Sequence, residues 1–126
     1  MKLLLDTQVA LWWLRGDRRL VKATRALIEA AECFISVASI WEVAIKYRIG
    51  RLPVSPQIFR DFMARAGAKI VPITDEHAVQ EAAFETSHPD PFDRLLLAVA
   101  VTEQMTLLTA DSRLHQLAAI GLIKGI

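Results

Sequence analysis

Cysteine is nearly absent from this sequence, because Cys33 is the only one among 126 residues. One cysteine forms neither an internal disulfide nor a zinc site built from several thiolates. This excludes a small secreted scaffold held together by disulfides. We therefore expect a reducing compartment, with the cytoplasm as the default.

Long apolar runs are also missing. The longest uncharged stretch covers residues 114–123, whereas a membrane span needs about 18 apolar residues. The apolar start of the chain ends at Asp6, which is too early for the hydrophobic region of a signal peptide. We expect neither a membrane span nor a targeting segment.

Charge of one sign is not in excess either. Lys and Arg number 15 and Asp and Glu number 14, which gives a net charge of +1. This balance excludes binding to nucleic acid by bulk charge alone. The distribution is uneven, since residues 1–25 are rich in bases and residues 70–93 contain six acids but no Lys or Arg. These segments are either two solvated faces of opposite sign or a basic entry surface beside an acidic site.

Hydrophobic residues make up 53% of the chain, which is typical of a globular protein. The length predicts one domain over residues 1–126, because domains usually contain about 100–200 residues. Periodicity predicts strands at 2–6, 33–36, 69–73, 106–109 and, at an edge, 122–124. It predicts helices at 7–14, 21–31, 38–49, 56–66, 75–86, 91–103 and 112–118. This alternation indicates an α/β fold, a three-layer α/β/α sandwich around a short, mostly parallel sheet.

Four carboxylates fall at suggestive places in these elements. Asp6 ends the first strand, Asp111 follows the strand at 106–109, and Glu42 and Asp93 lie early in two helices. Each has a purely structural interpretation. Asp6 and Asp111 suit helix N-caps, Glu42 suits a capping box with Ser39, and Asp93 suits the positive end of a helix dipole.

Considered together, the four acids favour a functional site. Parallel strands deliver their carboxyl ends to one edge of a sheet, where ligands bind in α/β folds. Clustered carboxylates repel one another unless they share a proton or hold a cation. Oxygen ligands without His or Cys favour Mg²⁺ or Mn²⁺ over zinc. Such a site suits phosphodiester hydrolysis by an activated water.

The acids lie within four motifs: LLLDTQ at 3–8 followed by ALWWL, SVASIWEVAIK at 36–46, HPDPFDRLL at 88–96 and LLTAD at 107–111. In order and spacing, these motifs resemble those of PIN-domain proteins, specifically ribonuclease toxins of the virulence-associated protein C (VapC) type. The resemblance covers nearly the whole chain. It implies a metal-dependent endoribonuclease with Mg²⁺ or Mn²⁺, a homodimer, and a cognate antitoxin protein that blocks the site.

Under this resemblance, four positions match the family's catalytic and metal-binding acids: Asp6, Glu42, Asp93 and Asp111. Many relatives have His two residues after the first acid, where this chain has Gln8. Glutamine cannot act as a general base, which disfavours proton transfer at that position.

Four further residues are candidates for substrate-binding or supporting roles. Lys46 could orient Glu42 or contact phosphate, or form an ordinary helical ion pair. Arg94 could contact RNA phosphate or pair with a nearby acid. Thr109 could bond a water or Asp111, or be a plain strand residue. His88 could transfer protons, although positioning the helix of Asp93 is the better interpretation.

Two other functions compete with the nuclease. A non-catalytic module that binds RNA or titrates an antitoxin would use the four acids only as helix caps. Phosphoryl transfer through a phosphorylated Asp6 is the other. The haloacid-dehalogenase pattern for that chemistry expects an Asp at the position of Gln8, which disfavours it.

Overall fold

The computed structural model describes residues 1–83, 90–115 and 123–124 of the chain. Its five described strands are β1 (Lys2–Leu5), β2 (Glu32–Ser36), β3 (Lys69–Val71), β4 (Thr106–Thr109) and β5 (Ile123–Lys124). Its described helices are α1 (Thr7–Arg15), α2 (Lys22–Ala30), α3 (Val37–Arg48), α4 (Pro56–Arg65), α5 (Asp75–Glu81), α6 (Pro91–Glu103) and α7 (Ser112–His115).

The strands form one sheet in the order β3-β2-β1-β4-β5, and every strand pair is parallel. The central strand β1 pairs with β2 on one side and with β4 on the other, with Leu4 opposite Phe34 and Leu107. The predicted α/β architecture is therefore confirmed, and the sheet is parallel throughout the described strands. All carboxyl ends of the strands lie along one side of the sheet, which we call the carboxyl edge.

Two apolar clusters cover the two faces of the sheet. Leu3 and Leu5 belong to a cluster built with α1, α2 and α4, whereas Leu4 belongs to a cluster built with α6. Because successive strand residues point to opposite faces, the fully apolar sequence of β1 fits a strand buried on both sides. The helices on either side complete the three layers.

Several helices begin where the sequence provides a cap. Thr74 accepts a hydrogen bond from the backbone N–H of His77, and the His77 ring accepts one from the N–H of Thr74, which completes a capping box. Ser55 caps α4, whose first residue is Pro56. These polar contacts satisfy backbone groups that the first helical turn leaves without partners.

The predicted capping box between Ser39 and Glu42 is wrong. Helix α3 begins earlier, at Val37, because the side chain of Ser36 accepts a hydrogen bond from the N–H of Ala38. Ser39 instead lies inside the helix, where its hydroxyl accepts a hydrogen bond from Thr7 at 2.9 Å. Glu42 therefore falls in the second turn of α3.

Most other predicted boundaries differ by one or two residues, and the strand at 69–73 ends early, at Val71. Helix α6 and strand β4 have the predicted bounds. The helix predicted at 75–86 ends early, at Glu81, and Ala82 and Ala83 lie in a turn. Residues 84–86 of that prediction, the end of the helix predicted at 112–118 and the first residue of the edge strand lie outside the described residues. No helix in the described part of the chain has the length and apolarity to cross a membrane.

Candidate active site

An open cavity of about 350 Å³ lies at the carboxyl edge of the sheet, and the four predicted acids all line it. Asp6 and Asp111 reach it from the ends of β1 and β4, while Glu42 and Asp93 reach it from α3 and α6. A fifth acid, Asp90, also lines it. We call this the acidic cavity. Its other lining residues are Thr7, Gln8, Leu11, Trp12, Lys46 and Ala110.

Asp6 is buried at the first turn of α1. One carboxylate oxygen, Oδ1, accepts a hydrogen bond from the backbone N–H of Val9 at 2.7 Å, so Asp6 is also the N-cap of this helix. The other, Oδ2, accepts a hydrogen bond from the hydroxyl of Thr109. Burial raises the pKa of Asp6 to about 6, and the charges of Glu42 and Asp111 add to the rise against these two hydrogen bonds. The capping and site interpretations of Asp6 are therefore compatible.

Glu42 lies at the inner wall of the cavity and is only 7% exposed. Its Oε2 accepts a hydrogen bond from Nζ of Lys46, one helical turn further along α3, at 2.8 Å. Its Oε1 is buried and has no hydrogen-bond partner among the residues that the structure describes. A buried carboxylate oxygen without a partner is costly, which suits an atom whose partner is a bound ligand.

Asp93 lies in the first turn of α6, next to Asp90. The Asp90 side chain caps this helix and accepts hydrogen bonds from the N–H groups of Phe92 and Asp93 at 2.9 and 3.4 Å. Burial raises the pKa of Asp93 to about 7, helped first by the charge of Asp90 and then by those of the other site acids. Carboxylates that repel one another this strongly favour a bound cation.

Asp111 is held by local contacts after β4. Both of its carboxylate oxygens accept hydrogen bonds from the guanidinium of Arg113, at 3.2 and 3.0 Å. Its backbone N–H donates to the hydroxyl of Thr109 at 3.0 Å. Thr109 thus contacts both Asp6 and Asp111, which supports its predicted supporting role.

The other three candidates have different outcomes. Lys46 lines the acidic cavity and binds Glu42. Arg94 pairs with Glu81, donating to its carboxylate and, at 3.1 Å, to its backbone carbonyl, and it is not among the residues lining the cavity. This is the ion pair with a nearby acid that we considered beside an RNA contact. His88 lies outside the described residues.

Sequence reasoning missed Asp90 and Trp12 as cavity residues. Asp90 stands directly before Pro91, and an acid followed by proline at the first helical position signals an N-cap beside Asp93. Trp12 lines the cavity, whereas the adjacent Trp13 packs edge-on against Phe62. The indole Nε1 of Trp12 is buried, and no group in the described part of the chain accepts a hydrogen bond from it. Sequence alone gave no signal for which tryptophan faces the site.

The donor set of the acidic cavity fits a hard divalent cation. It offers carboxylate oxygens, among them Oε1 of Glu42, and neither His nor Cys is found among its described lining residues. Across residues 1–83 and 90–115, however, no three His, Cys or acidic side chains are grouped as they would be around a metal ion. The described carboxylates line the same cavity but are not arranged around a single point, as the ligands of a metal ion would be.

Comparison with known proteins gives a consistent result. A family model described as PIN domain matches residues 3–120. The chain is also similar to Ribonuclease VapC22 of Mycobacterium tuberculosis, with 32% identity over 115 residues that cover 89% of this chain and 88% of that protein. Residues 3–120, which the family model matches, contain all four predicted acids.

Solved structures agree on the fold. VapBC2 from Rickettsia felis, bound to a DNA fragment from their promoter, matches with a TM-score of 0.74 and 16% identity over 98% of each chain. A toxin–antitoxin complex from Klebsiella pneumoniae matches with a TM-score of 0.68 and 20% identity, over 98% of this chain and 97% of that one. At these identities the likeness shows the shared fold.

Proposed function

Because this chain belongs to the PIN domain family, we propose that it is a metal-dependent endoribonuclease, the toxin of a toxin–antitoxin pair. Residues 1–126 would form one nuclease domain that hydrolyses phosphodiester bonds of RNA. The observation that carries the proposal is the convergence of Asp6, Glu42, Asp93 and Asp111 on one cavity at the carboxyl edge. If the four acids served only to cap helices, they would have no reason to line one cavity from four separate elements.

We assign the metal, Mg²⁺ or Mn²⁺, to these four acids. Asp6 and Asp93 are the main ligands, and Glu42 and Asp111 complete the site directly or through water. Two observations support this assignment. The buried Oε1 of Glu42 has no hydrogen-bond partner among the described residues, and a bound cation would supply one. The pKa of Asp93 is raised, and a nearby cation would lower it by stabilising the ionised carboxylate. A bound ion would supply an activated water and would stabilise negative charge on the phosphate.

The chain's own residues prepare the site for that chemistry. Thr109 and the N–H of Val9 hold the two oxygens of Asp6 in place. Asp90 fixes the first turn of α6 and so fixes the position of Asp93. Helix N-termini at α1 and α6 add partial positive charge toward the cavity, which favours an approaching phosphate.

The proposed partners follow from the relatives. Structures similar to this chain are toxin–antitoxin complexes, and a curated relative is named a ribonuclease. We therefore propose RNA as substrate, a cognate antitoxin protein as inhibitor, and a homodimer as the assembly. The buried free thiol of Cys33 is consistent with a reducing compartment such as the cytoplasm.

Cleavage of total cellular RNA by the purified, antitoxin-free protein tests the proposal. Reactions contain Mg²⁺, Mn²⁺ or a chelator, and they compare the wild type with Asp6→Asn. Asp61→Asn is the matched control, because Asp61 is an exposed acid paired with Arg60 in α4, away from the acidic cavity. We expect discrete cuts that need the metal, persist in Asp61→Asn and vanish in Asp6→Asn.

Two other outcomes would count against the nuclease. Cuts that survive both the chelator and Asp6→Asn would point to a contaminating enzyme. Tight RNA binding without cleavage, and without dependence on a divalent ion, would instead indicate a non-catalytic binding module. Circular dichroism of each variant confirms that the fold is intact.

A further inference from the structure

Lys46 has an unusual position among the described residues that line the acidic cavity, because it is the one cation there. It faces five carboxylates: Asp6, Glu42, Asp90, Asp93 and Asp111. RNA is a polyanion, and its phosphates must approach this concentration of negative charge. A positive side chain at the cavity would lower that electrostatic barrier.

The contact between Lys46 and Glu42 leaves the ammonium group usable. Nζ of Lys46 lies 2.8 Å from Oε2 of Glu42, and the Lys46 side chain is 47% exposed against 9% for Glu42. The ammonium group carries three N–H donors, and Glu42 takes one of them. Two donors therefore remain for a ligand, on a side chain that lines the cavity and also reaches solvent.

Two nearby arginines form ion pairs with other carboxylates. Arg94 binds the side chain and the backbone carbonyl of Glu81. Arg113 engages both carboxylate oxygens of Asp111. Neither arginine lines the cavity. Among the described cations, Lys46 thus combines a place in the cavity wall with donors left for a ligand.

We infer that Lys46 is a substrate ligand of this site, whose ammonium bridges the buried carboxylate of Glu42 and a phosphate oxygen of the RNA. The inference rests on the proposed function and adds a named contact to it. The buried Glu42 holds the long Lys46 side chain in place before RNA arrives. Binding phosphate then orders fewer rotatable bonds than it would for a free lysine.

An ordinary helical ion pair is the competing explanation. Such a pair stabilises a helix slightly and has no effect on RNA affinity. The two explanations differ in what removal of the ammonium changes. A substrate ligand affects RNA binding and its salt dependence, whereas a group that acts only by orienting Glu42 affects metal binding.

Lys46→Met and Lys46→Arg test the inference, with Lys69→Met as the matched control. Lys69 forms a similar contact, with Nζ 2.7 Å from a Glu32 carboxylate oxygen, but both residues begin strands at the opposite edge of the sheet. Binding of a short fluorescent RNA of randomised sequence is measured by anisotropy, with Ca²⁺ replacing Mg²⁺ to suppress cleavage. Thermal unfolding verifies that each variant is folded.

We expect Lys46→Met to weaken RNA binding about tenfold, the size of one charge-assisted contact. The slope of log affinity against log salt should decrease by about 1, as for the loss of one phosphate contact. Lys46→Arg should retain most of the affinity, and Lys69→Met should match the wild type. Equal RNA affinity and equal salt slope in Lys46→Met and the wild type would overturn the inference.

Calorimetric titration with Mn²⁺, without RNA, supplies the second readout. Lys46→Met should bind Mn²⁺ as tightly as the wild type or more tightly, because a positive charge beside Glu42 has been removed. Weaker Mn²⁺ binding with unchanged RNA affinity would assign Lys46 to positioning Glu42 and would refute the phosphate contact. If the wild type neither binds Mn²⁺ nor cleaves RNA, the proposed function fails, and this inference fails with it. A wild type active in both, with Lys46→Met identical to it, overturns the Lys46 inference alone.

Discussion

The hydroxyl of Thr109 donates a hydrogen bond to the carboxylate of Asp6, across the paired strands β1 and β4. The same hydroxyl accepts a hydrogen bond from the backbone N–H of Asp111 at 3.0 Å. Thr109 and Asp6 are both buried. One threonine therefore fixes the relative positions of two of the four site acids.

Thr109→Val should lower the stability of the fold by about 1–3 kcal/mol, because the buried Asp6 loses a hydrogen-bond donor. It should also raise the pKa of Asp6 above its present value of about 6, since this hydrogen bond lowers it. RNA cleavage would then begin at higher pH. Urea unfolding and a pH–rate profile measure the two effects. Thr109→Ser, which keeps the hydroxyl, should resemble the wild type, and an unchanged profile in Thr109→Val would refute the assigned role.

The stability of the metal-free protein should decrease as pH rises from about 4 to about 7. The pKa of Asp6 is raised to about 6 and that of Asp93 to about 7, so the folded state binds more protons than the unfolded state across this range. The contribution of these two acids to the free energy of unfolding is fully present below the ordinary carboxyl pKa. It is lost as pH rises through the raised pKa of each acid in the folded state. For Asp6 the difference amounts to at most about 3 kcal/mol.

The predicted decrease in stability with pH is tested by chemical unfolding in the presence of a chelator, compared near pH 5 and near pH 8. Asp6→Asn should flatten the dependence, because the buried group no longer titrates. Added Mn²⁺ should reverse the trend, since the ion binds ionised carboxylates. A metal-free protein that gains stability with pH over this range would contradict the proposed electrostatics.

Asp90→Asn should move the pH dependence of cleavage to lower values. The charge of Asp90 is, after burial, the largest cause of the raised pKa of Asp93, and asparagine removes that charge while still capping a helix. Stability should change little. Asp90→Ala is the paired variant, which should also lower stability by about 1 kcal/mol through loss of the cap. An identical pH midpoint in Asp90→Asn and the wild type would disprove the coupling.

Arg94→Met should destabilise the protein by about 1–3 kcal/mol, because Arg94 joins the end of α5 to the first turn of α6 through Glu81. Arg60→Met is the control, since the pair of Arg60 with Asp61 is exposed and should contribute less than about 0.5 kcal/mol. Thermal unfolding gives both values. Unchanged stability combined with weaker RNA binding would restore the phosphate contact as the role of Arg94.

Sequence patterns predicted the sheet and the positions of the four acids relative to its strands and helices, because both depend on local signals. A short apolar run such as Leu3–Leu5 followed by an acid marks a buried strand with a polar carboxyl end. Parallel pairing then brings the strand ends together. The location of the acidic site thus follows from topology, without knowledge of any side-chain contact.

Side-chain environments depended on contacts distant in sequence, and there the predictions were less accurate. Trp41 lies in an apolar stretch of the sequence, which is typical of a buried residue, yet it is 58% exposed and contacts the ring of Phe92 from α6. Ser39 was expected to cap a helix, yet Thr7 engages it from α1. Local sequence patterns do not predict which neighbouring helix packs against α3. The pairing of Arg94 with Glu81 rather than with substrate likewise depends on how α5 packs against α6.

The pairing of β1 with β4 has a consequence for protein synthesis. Thr109 and Asp6 are 103 residues apart in the chain, so the acidic cavity cannot assemble on a nascent polypeptide from which β4 has not yet emerged. A ribosome-bound fragment ending before β4 lacks Thr109 and Asp111. The proposed ribonuclease activity would therefore start only after β4 has been synthesised and has emerged from the ribosome.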